Sequence, residues 1–187
     1  AKINLLKRLV DHAWNTARYN VYYGEGRDHY DTPETRGRTS HESIFNVNNG
    51  DYRCPSTQQG YSPYSTWTRG LSWAMCGYPE ELEFLETVDD ADLEVCGGRS
   101  WVEGMFREAA KATCDFFIRH SASDGIPYWD TGAPRLEQLG DWRNKPADPY
   151  NAHEPVDSSA AAIGAQGLLR LGRYLHRHGE KDNGAHY

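Results

Sequence analysis

Residues Gln59 to Trp73 read QGYSPYSTWTRGLSW, and this stretch decides how the rest of the chain is interpreted. Ser62-Pro63 predicts a turn, because both residue types favour turn backbone. Ser65 or Thr66 is then expected to cap a helix, since a hydroxyl at that position accepts a hydrogen bond from the first helical turn. The spacing predicts a helix from Ser65 to about Gly77.

The side chains on this predicted helix have two explanations. Arg69 and Trp73 lie four residues apart, which places the guanidinium beside the second indole, and Trp67 lies roughly a turn and a half before Trp73. With Gln59, these groups would suit a ligand that has sugar-like faces and an anionic group. In the alternative, both indoles belong to the core and Arg69 extends along apolar surface to reach water.

Bulk properties limit the class of protein. The chain has 187 residues, which is enough for one domain, and a formal net charge of -7. An acidic chain is not expected to bind nucleic acid or an anionic membrane as its main partner. No segment is apolar for long enough to span a bilayer, and no signal peptide precedes the first helical pattern, which favours the cytoplasm.

Cysteine and histidine patterns predict no metal site. Cys54, Cys76, Cys96 and Cys114 are widely spaced and form no CxxC pair. Buried free thiols and two long-range disulfides fit this spacing equally well. The eight His are scattered along the sequence, so no metal site is expected, and no phosphate-binding loop is present.

Hydrophobic periodicity predicts three further helices. They cover residues 2–20 with no N-cap ahead, Arg99–His120, and a helix capped by Asp157 that extends to about Arg177. Pro79 is expected to end or kink the Trp67 helix, with Glu80 to Val88 able to resume it. Residues 178–187 are polar and are expected to fray.

The long polar segment between the first two helices is expected to form the rim of a binding site. It extends from Val21 to Tyr64 and is interrupted by several Gly and Pro residues. Within it, residues 43–47 predict a short strand, and residues 48–51 predict a hairpin turn.

Three stretches, taken in order, resemble one family. Residues 59–74 resemble the QGYxxxSxWxRGQAWA signature of the unsaturated glucuronyl hydrolases, glycoside hydrolase family 88. Residues 124–130, DGIPYWD, resemble that family's DGxPxWD, and residues 157–163, DSSAAAI, resemble its DSSAxAI. Leu71 stands where the family has Gln.

This resemblance implies an all-α fold that is part of an (α/α)6 toroid, with long loops and at most a short β-hairpin. Family members remove Δ4,5-unsaturated glucuronic acid from the non-reducing end of oligosaccharides that lyases generate. An Asp protonates C4 of the enol ether, water adds at C5, and the hemiketal collapses to release the sugar. No cofactor is implied, and the implied partner is the unsaturated uronic-acid oligosaccharide.

The resemblance also assigns roles to residues. Gln59 and Arg69 would hold polar groups of the uronate or water, and Trp67 and Trp73 would form the wall on which the sugar stacks. A family His on the rim corresponds to His41 by spacing or to Asn46 by local alignment.

Two carboxylates on the chain are further candidates. Asp130 could reach the site, although a turn-stabilising role is the simpler expectation, and Asp157 is expected to be a plain N-cap.

The chain also departs from the family pattern. A complete toroid needs about twice this length, and the catalytic Asp is expected at or just upstream of Ala1. These departures predict the C-terminal half of such an enzyme: one helical domain over residues 1–178, a polar tail over residues 179–187, and no activity in isolation. A non-catalytic carbohydrate-binding helical module and an unsaturated rhamnogalacturonyl hydrolase are the alternatives.

Overall fold

The computed structural model describes residues 2–187. They contain six α-helices and one two-stranded sheet, joined by loops and short 3-10 turns. In chain order the elements are α1 (Leu5–Asn20), β1 (Glu42–Phe45), β2 (Tyr52–Ser56), α2 (Thr68–Leu85), α3 (Asp90–Leu93), α4 (Arg99–Arg119), α5 (Ser158–Arg177) and α6 (Lys181–His186). The predicted all-α class with a short hairpin is confirmed. Ala1 lies outside the described residues, and so does the catalytic Asp expected at or before it.

The first helix begins later than its hydrophobic pattern predicts. Asn4 is its N-cap, and the Asn4 side chain accepts a hydrogen bond from the backbone N–H of Lys7 at 3.0 Å. The expectation of an uncapped helix from residue 2 was therefore wrong. An Asn followed by an apolar run is a usual helix start, and the apolar Ile3 before it concealed the boundary.

Helix α2 is longer than predicted at its C-terminal end and starts later. It begins at Thr68 with Trp67 at the N-cap position and no capping side chain, so neither Ser65 nor Thr66 caps it. It also continues through Pro79 to Leu85. Proline has no N–H, so the carbonyl of Met75, four residues earlier, loses its helical donor.

Helix α5 packs closely against α2 at this same carbonyl. A Cβ added to Gly167 of α5 would lie 2.4 Å from the Met75 oxygen, so only glycine allows this approach. Small residues of α5 therefore allow this close contact, although Ala162 and Ala165 on the same helix are exposed.

Helix α2 lies at the centre of the core, between α4 and α5. Its fully buried Leu71, Met75 and Leu82 pack in one apolar cluster that also contains Phe106 of α4 and Leu171 of α5. Because α2 contributes buried side chains along its whole length, its position fixes that of its neighbours.

Helix α1 closes one side of this core. Its buried face is formed by Val10, Ala13 and Ala17. The Tyr78 hydroxyl of α2 donates a hydrogen bond to the carbonyl of Ala13 at 3.1 Å, which joins the two helices beside a cavity described below.

The rim segment contains the predicted hairpin. Strands β1 and β2 pair antiparallel, with Ile44 opposite Cys54 and a bulge between Ile44 and Phe45. The four thiols are free. Cys76, Cys96 and Cys114 are buried, and burial raises the pKa of each of these three thiols above its usual range. No helix formed by residues 2–187 is long and apolar enough to cross a membrane.

The C-terminal segment is ordered, contrary to the expected fraying. Helix α6 packs on α5 where Gly184 meets Gly172, and a Cβ on Gly172 would lie 2.8 Å from the Gly184 oxygen. The Tyr187 hydroxyl donates to Asp115 at 2.8 Å. The division into a domain over residues 1–178 and a tail over residues 179–187 stays a prediction.

Gly167→Ala is expected to destabilise the fold by about 1–3 kcal/mol, because the new methyl group would overlap backbone that cannot move aside. Chemical denaturation measures this loss. Gly104→Ala is the matched control, since Gly104 lies on exposed α4 surface with nothing within 4 Å of an added Cβ. It should stabilise the helix by up to ~1 kcal/mol. Equal effects of the two changes would contradict the proposed close packing.

Candidate functional site

A cavity of about 300 Å³ lies between α1, the segment before β1 and one face of α2. Its α2 lining repeats at three and four residues, which is the period of a single helix face. The lining consists of His12, Ala13, Thr16, Asn20, Val21, Thr39, Ser40, His41, Trp67, Gly70, Trp73, Ala74, Gly77, Tyr78 and Glu81. Both predicted Trp residues and His41 are therefore brought to one site.

Trp67 and His41 together form one wall of this cavity. Their rings meet edge to face with centroids 4.9 Å apart. The His41 Nδ1 accepts backbone N–H groups of Gln58 at 3.1 Å and Gln59 at 3.3 Å. An accepting Nδ1 leaves the ring proton on Nε2, so His41 can act as a donor. The exposed Gln59 side chain is outside the lining, and its backbone holds His41.

Glycine at position 70 lets the Trp67 ring fold back onto its own helix. A Cβ there would lie 2.8 Å from a ring carbon of Trp67. Trp73 follows one turn later and is 59% exposed, which is unusual for so large an apolar side chain. The two indoles thus present apolar surface to the cavity and to solvent, and they do not form core.

Arg69 lies beside this wall and is paired. Its Nη2 is 3.0 Å and its Nε 3.1 Å from Oδ2 of Asp157, a buried carboxylate. Asp157 also accepts the backbone N–H of Ala160 at 2.8 Å, which confirms the predicted N-cap of α5. The Arg69 guanidinium carbon is 6.0 Å from the Trp67 ring centroid, and 43% of its side chain is exposed.

Asp130 connects two loops. It is fully buried, and its two oxygens accept the N–H groups of Tyr61 at 2.8 Å and Gly132 at 2.9 Å. Asn46 lies at the β1–β2 turn, where its side chain accepts the N–H of Asn48 at 3.0 Å. Neither side chain lines the cavity, and their predicted contact with substrate stays a prediction.

Backbone hydrogen bonds join the three motif stretches. Thr68 donates its N–H to Trp129, which in turn donates its own N–H to Pro155. Asp157 donates its N–H to Pro127. The start of α2, the residue 127–131 segment and the start of α5 therefore form one hydrogen-bonded layer beside the cavity.

Glu81 is the ionisable residue that the sequence reasoning missed. It lines the far end of the cavity, eight residues after Trp73 on α2. Burial raises its pKa to about 7, and neighbouring Glu80 adds to this rise. The helix period would have placed Glu81 on the Trp73 face, but the helix was expected to end or kink at Pro79.

The cavity has little fixed positive charge. Apart from Glu81, its ionisable lining residues within the described chain are His12, His41 and Tyr78. No group of three or more His, Cys, Asp or Glu residues within positions 2–187 is placed to hold a metal ion.

Several known proteins are similar to this chain in sequence, and several solved structures are similar to it in fold. No model of a protein family matches it. An unsaturated glucuronyl hydrolase from Formosa agariphila is 27% identical over 162 residues, covering 83% of this chain and 33% of that protein. One from Bacillus sp. is 30% identical over 135 residues, covering 72% of this chain and 28% of that protein.

Solved structures agree on the fold. The Bacillus sp. GL1 unsaturated glucuronyl hydrolase has a TM-score of 0.53 and 23% identity, covering 92% of this chain and 37% of its own. An unsaturated glucuronyl hydrolase specific for heparin has a TM-score of 0.57 and 21% identity, and the match covers 91% of this chain and 37% of that protein. A third is described with dGlcA-Glc-Rha-Glc, with a TM-score of 0.54 and 24% identity, covering 95% and 39%.

The fold therefore places the chain with the α/α toroids, as part of such a toroid. The sequence relatives are more specific, and they confirm the resemblance to the unsaturated glucuronyl hydrolases that the three motifs predict. The relatives that carry this resemblance are named as hydrolases of unsaturated glucuronyl groups or of unsaturated chondroitin disaccharides. The chain spans about a third of the length of the curated relatives that it matches.

Asp130→Asn is expected to lower the unfolding free energy by about 1–3 kcal/mol, because the amide NH₂ would face a backbone N–H that the carboxylate now accepts. Chemical denaturation measures the effect. Asp148→Asn is the control, since Asp148 is exposed and uses one oxygen to accept the N–H of Tyr150, which Asn can also do. If Asp130→Asn is as harmless as the control, the carboxylate does not connect the two loops.

Proposed function

We propose that this chain provides the sugar-recognising wall of a site that acts on Δ4,5-unsaturated glucuronic acid at the non-reducing end of oligosaccharides. The observation that carries this proposal is the joint placement of His41, Trp67 and Trp73 on one cavity. The cavity volume lies at the small end of the range for ligand pockets, which suits a single sugar ring.

The indoles would supply apolar faces for the ring, and His41 would supply a hydrogen-bond donor for a hydroxyl. Such a division, with apolar walls and a few placed polar groups, is the usual construction of a small-molecule site. Gln59 would contribute through its exposed side chain, close to His41.

Arg69 is the proposed partner of the uronate carboxylate. Asp157 occupies Nε and Nη2, but the guanidinium carries five donors, and the side chain remains partly exposed. The pair with Asp157 fixes the direction of the guanidinium before a ligand arrives, which lowers the entropy cost of binding.

The proposed reaction is hydration of the enol ether. A carboxylic acid protonates C4, water adds at C5 and returns a proton, and the hemiketal then opens to release the second sugar. No Asp lines the cavity among residues 2–187, and the one carboxyl group in the described lining, Glu81, lies eight residues further along α2 than Trp73. We therefore propose that the acid is supplied from outside this chain.

The same observation favours a second candidate, a carbohydrate-binding helical module with no catalytic role. Both functions require the aromatic wall, and they differ in whether the chain joins a catalytic partner segment. The two candidates can be distinguished by adding unsaturated disaccharide to a longer form that contains the expected Asp. Loss of the unsaturated-uronide absorbance is expected if the protein is a hydrolase, and no loss is expected if it is a binding module.

The isolated chain is expected to bind a lyase-generated unsaturated disaccharide without turning it over. Calorimetry measures binding, and absorbance at the unsaturated-uronide band measures turnover. A falling absorbance would show that the chain contains its own acid, while absence of binding would reject the proposed function itself.

Arg69→Ala is expected to weaken binding of the unsaturated uronide by at least roughly tenfold, since a charged hydrogen bond is lost. Trp73→Ala should weaken it similarly through lost contact area. Tyr150→Ala is the control, because Tyr150 is 94% exposed and lies outside the cavity lining.

The Arg69→Ala change also leaves Asp157 buried without its cation. A double variant with Asp157→Asn keeps an N-cap and removes that lone charge. If the double variant regains wild-type affinity, Arg69 does not hold the ligand, and its effect is structural.

A further inference from the structure

Glu81 is a carboxyl group that the fold places in the cavity without a partner. Its Oε2 is buried and accepts no hydrogen bond from residues 2–187, and the residue lines the cavity. A buried acceptor without a partner costs folding free energy, so it calls for an explanation, and a ligand oxygen or a bound proton would provide one.

The position of Glu81 relates it to the proposed sugar wall. Trp67, Gly70, Trp73, Gly77 and Glu81 are all lining residues of α2. At a rise of about 1.5 Å per residue, Glu81 lies roughly 12 Å along the helix from Trp73. The two residues therefore bound the cavity from opposite ends.

Charges around Glu81 disfavour its ionised form. Glu80 precedes it on α2 and adds a neighbouring negative charge. Besides Glu81, the ionisable residue that α2 contributes to the described cavity lining is Tyr78. The groups that face the cavity from other elements are His12 on α1 and His41 before β1. No Lys or Arg in the described lining compensates for a negative charge on Glu81.

Ser40 adds a second unpartnered group. Its Oγ is buried, lines the same cavity, and has no hydrogen-bond partner within residues 2–187. Two polar groups without partners in one small cavity indicate a ligand with several oxygens, as a sugar ring has.

We propose that Glu81 is a binding residue for the uronide, and that it donates a hydrogen bond to a ligand oxygen as a neutral carboxylic acid. This inference rests on the proposed function and extends it to a residue that lies outside the three motif stretches. A neutral acid suits this ligand, because an ionised Glu81 would repel the uronate and could not donate.

The direction of the pH dependence follows from linkage. Burial has already raised the pKa of Glu81 to about 7, and a ligand that accepts its proton would raise that pKa further. Bound protein then holds more protons than free protein above neutral pH. Affinity should therefore fall by up to about tenfold per pH unit above 7.

The test compares wild type with Glu81→Gln by calorimetry of a lyase-generated unsaturated disaccharide from pH 6 to pH 9. Wild type should lose affinity above pH 7, whereas Glu81→Gln should bind with little change over the same range, because the amide donates at every pH. Glu80→Gln is the matched control and should keep the wild-type decline. His12→Gln should also keep it, and His41→Gln should weaken binding at every pH while keeping the decline, which separates Glu81 from histidine titration.

A second measurement follows the Glu81 carboxyl carbon by NMR, assigned through the Glu81→Gln variant. We expect a titration midpoint near 7 in the free protein and a higher midpoint with the disaccharide bound. If Glu81→Gln and wild type bind with the same pH profile, the role of Glu81 is overturned and the proposed function survives. If wild type does not bind the disaccharide, both are overturned.

Discussion

The carboxylate of Asp157 fixes the relation between the two helices on which the site depends. It caps the first turn of α5 through the N–H of Ala160 and pairs with Arg69 in the first turn of α2. Because it is buried, removal of its cation would leave an uncompensated charge, which is far more costly than the loss of a surface pair. The two helix starts are thereby held together, and Trp67 and the cavity lie beside this junction.

The cavity exists because α2 is one continuous helix. Proline at position 79 would ordinarily interrupt it, yet the carbonyl that this proline deprives of a donor is the one that Gly167 of α5 approaches. Packing along the whole buried face keeps the helix intact. The face that lines the cavity can then carry aromatic side chains at one end and Glu81 at the other.

Much of the fold and part of the candidate site could be predicted from the sequence. Periodicity located the helices from Arg99 and from Asp157, and the turn signal located the hairpin. Side-chain spacing and the motif resemblance together singled out Trp67, Trp73 and His41. Helix boundaries were harder: Ser65 and Thr66 resemble N-caps, but Thr66 exchanges hydrogen bonds with Thr39 in another segment. Local pattern cannot show that a distant backbone competes for the same hydroxyl.

The sequence by itself determined which side chains recur on one face of α2, because helical period depends only on spacing. Tertiary structure decided what those side chains meet. It gave the oxygens of Asp130 two backbone donors from different loops, paired Arg69 with Asp157, and left the Glu81 carboxyl in the cavity with no partner in the described chain. Burial and hydrogen-bond partners come from segments far apart in the chain, and these contacts set the charge state of a carboxyl group.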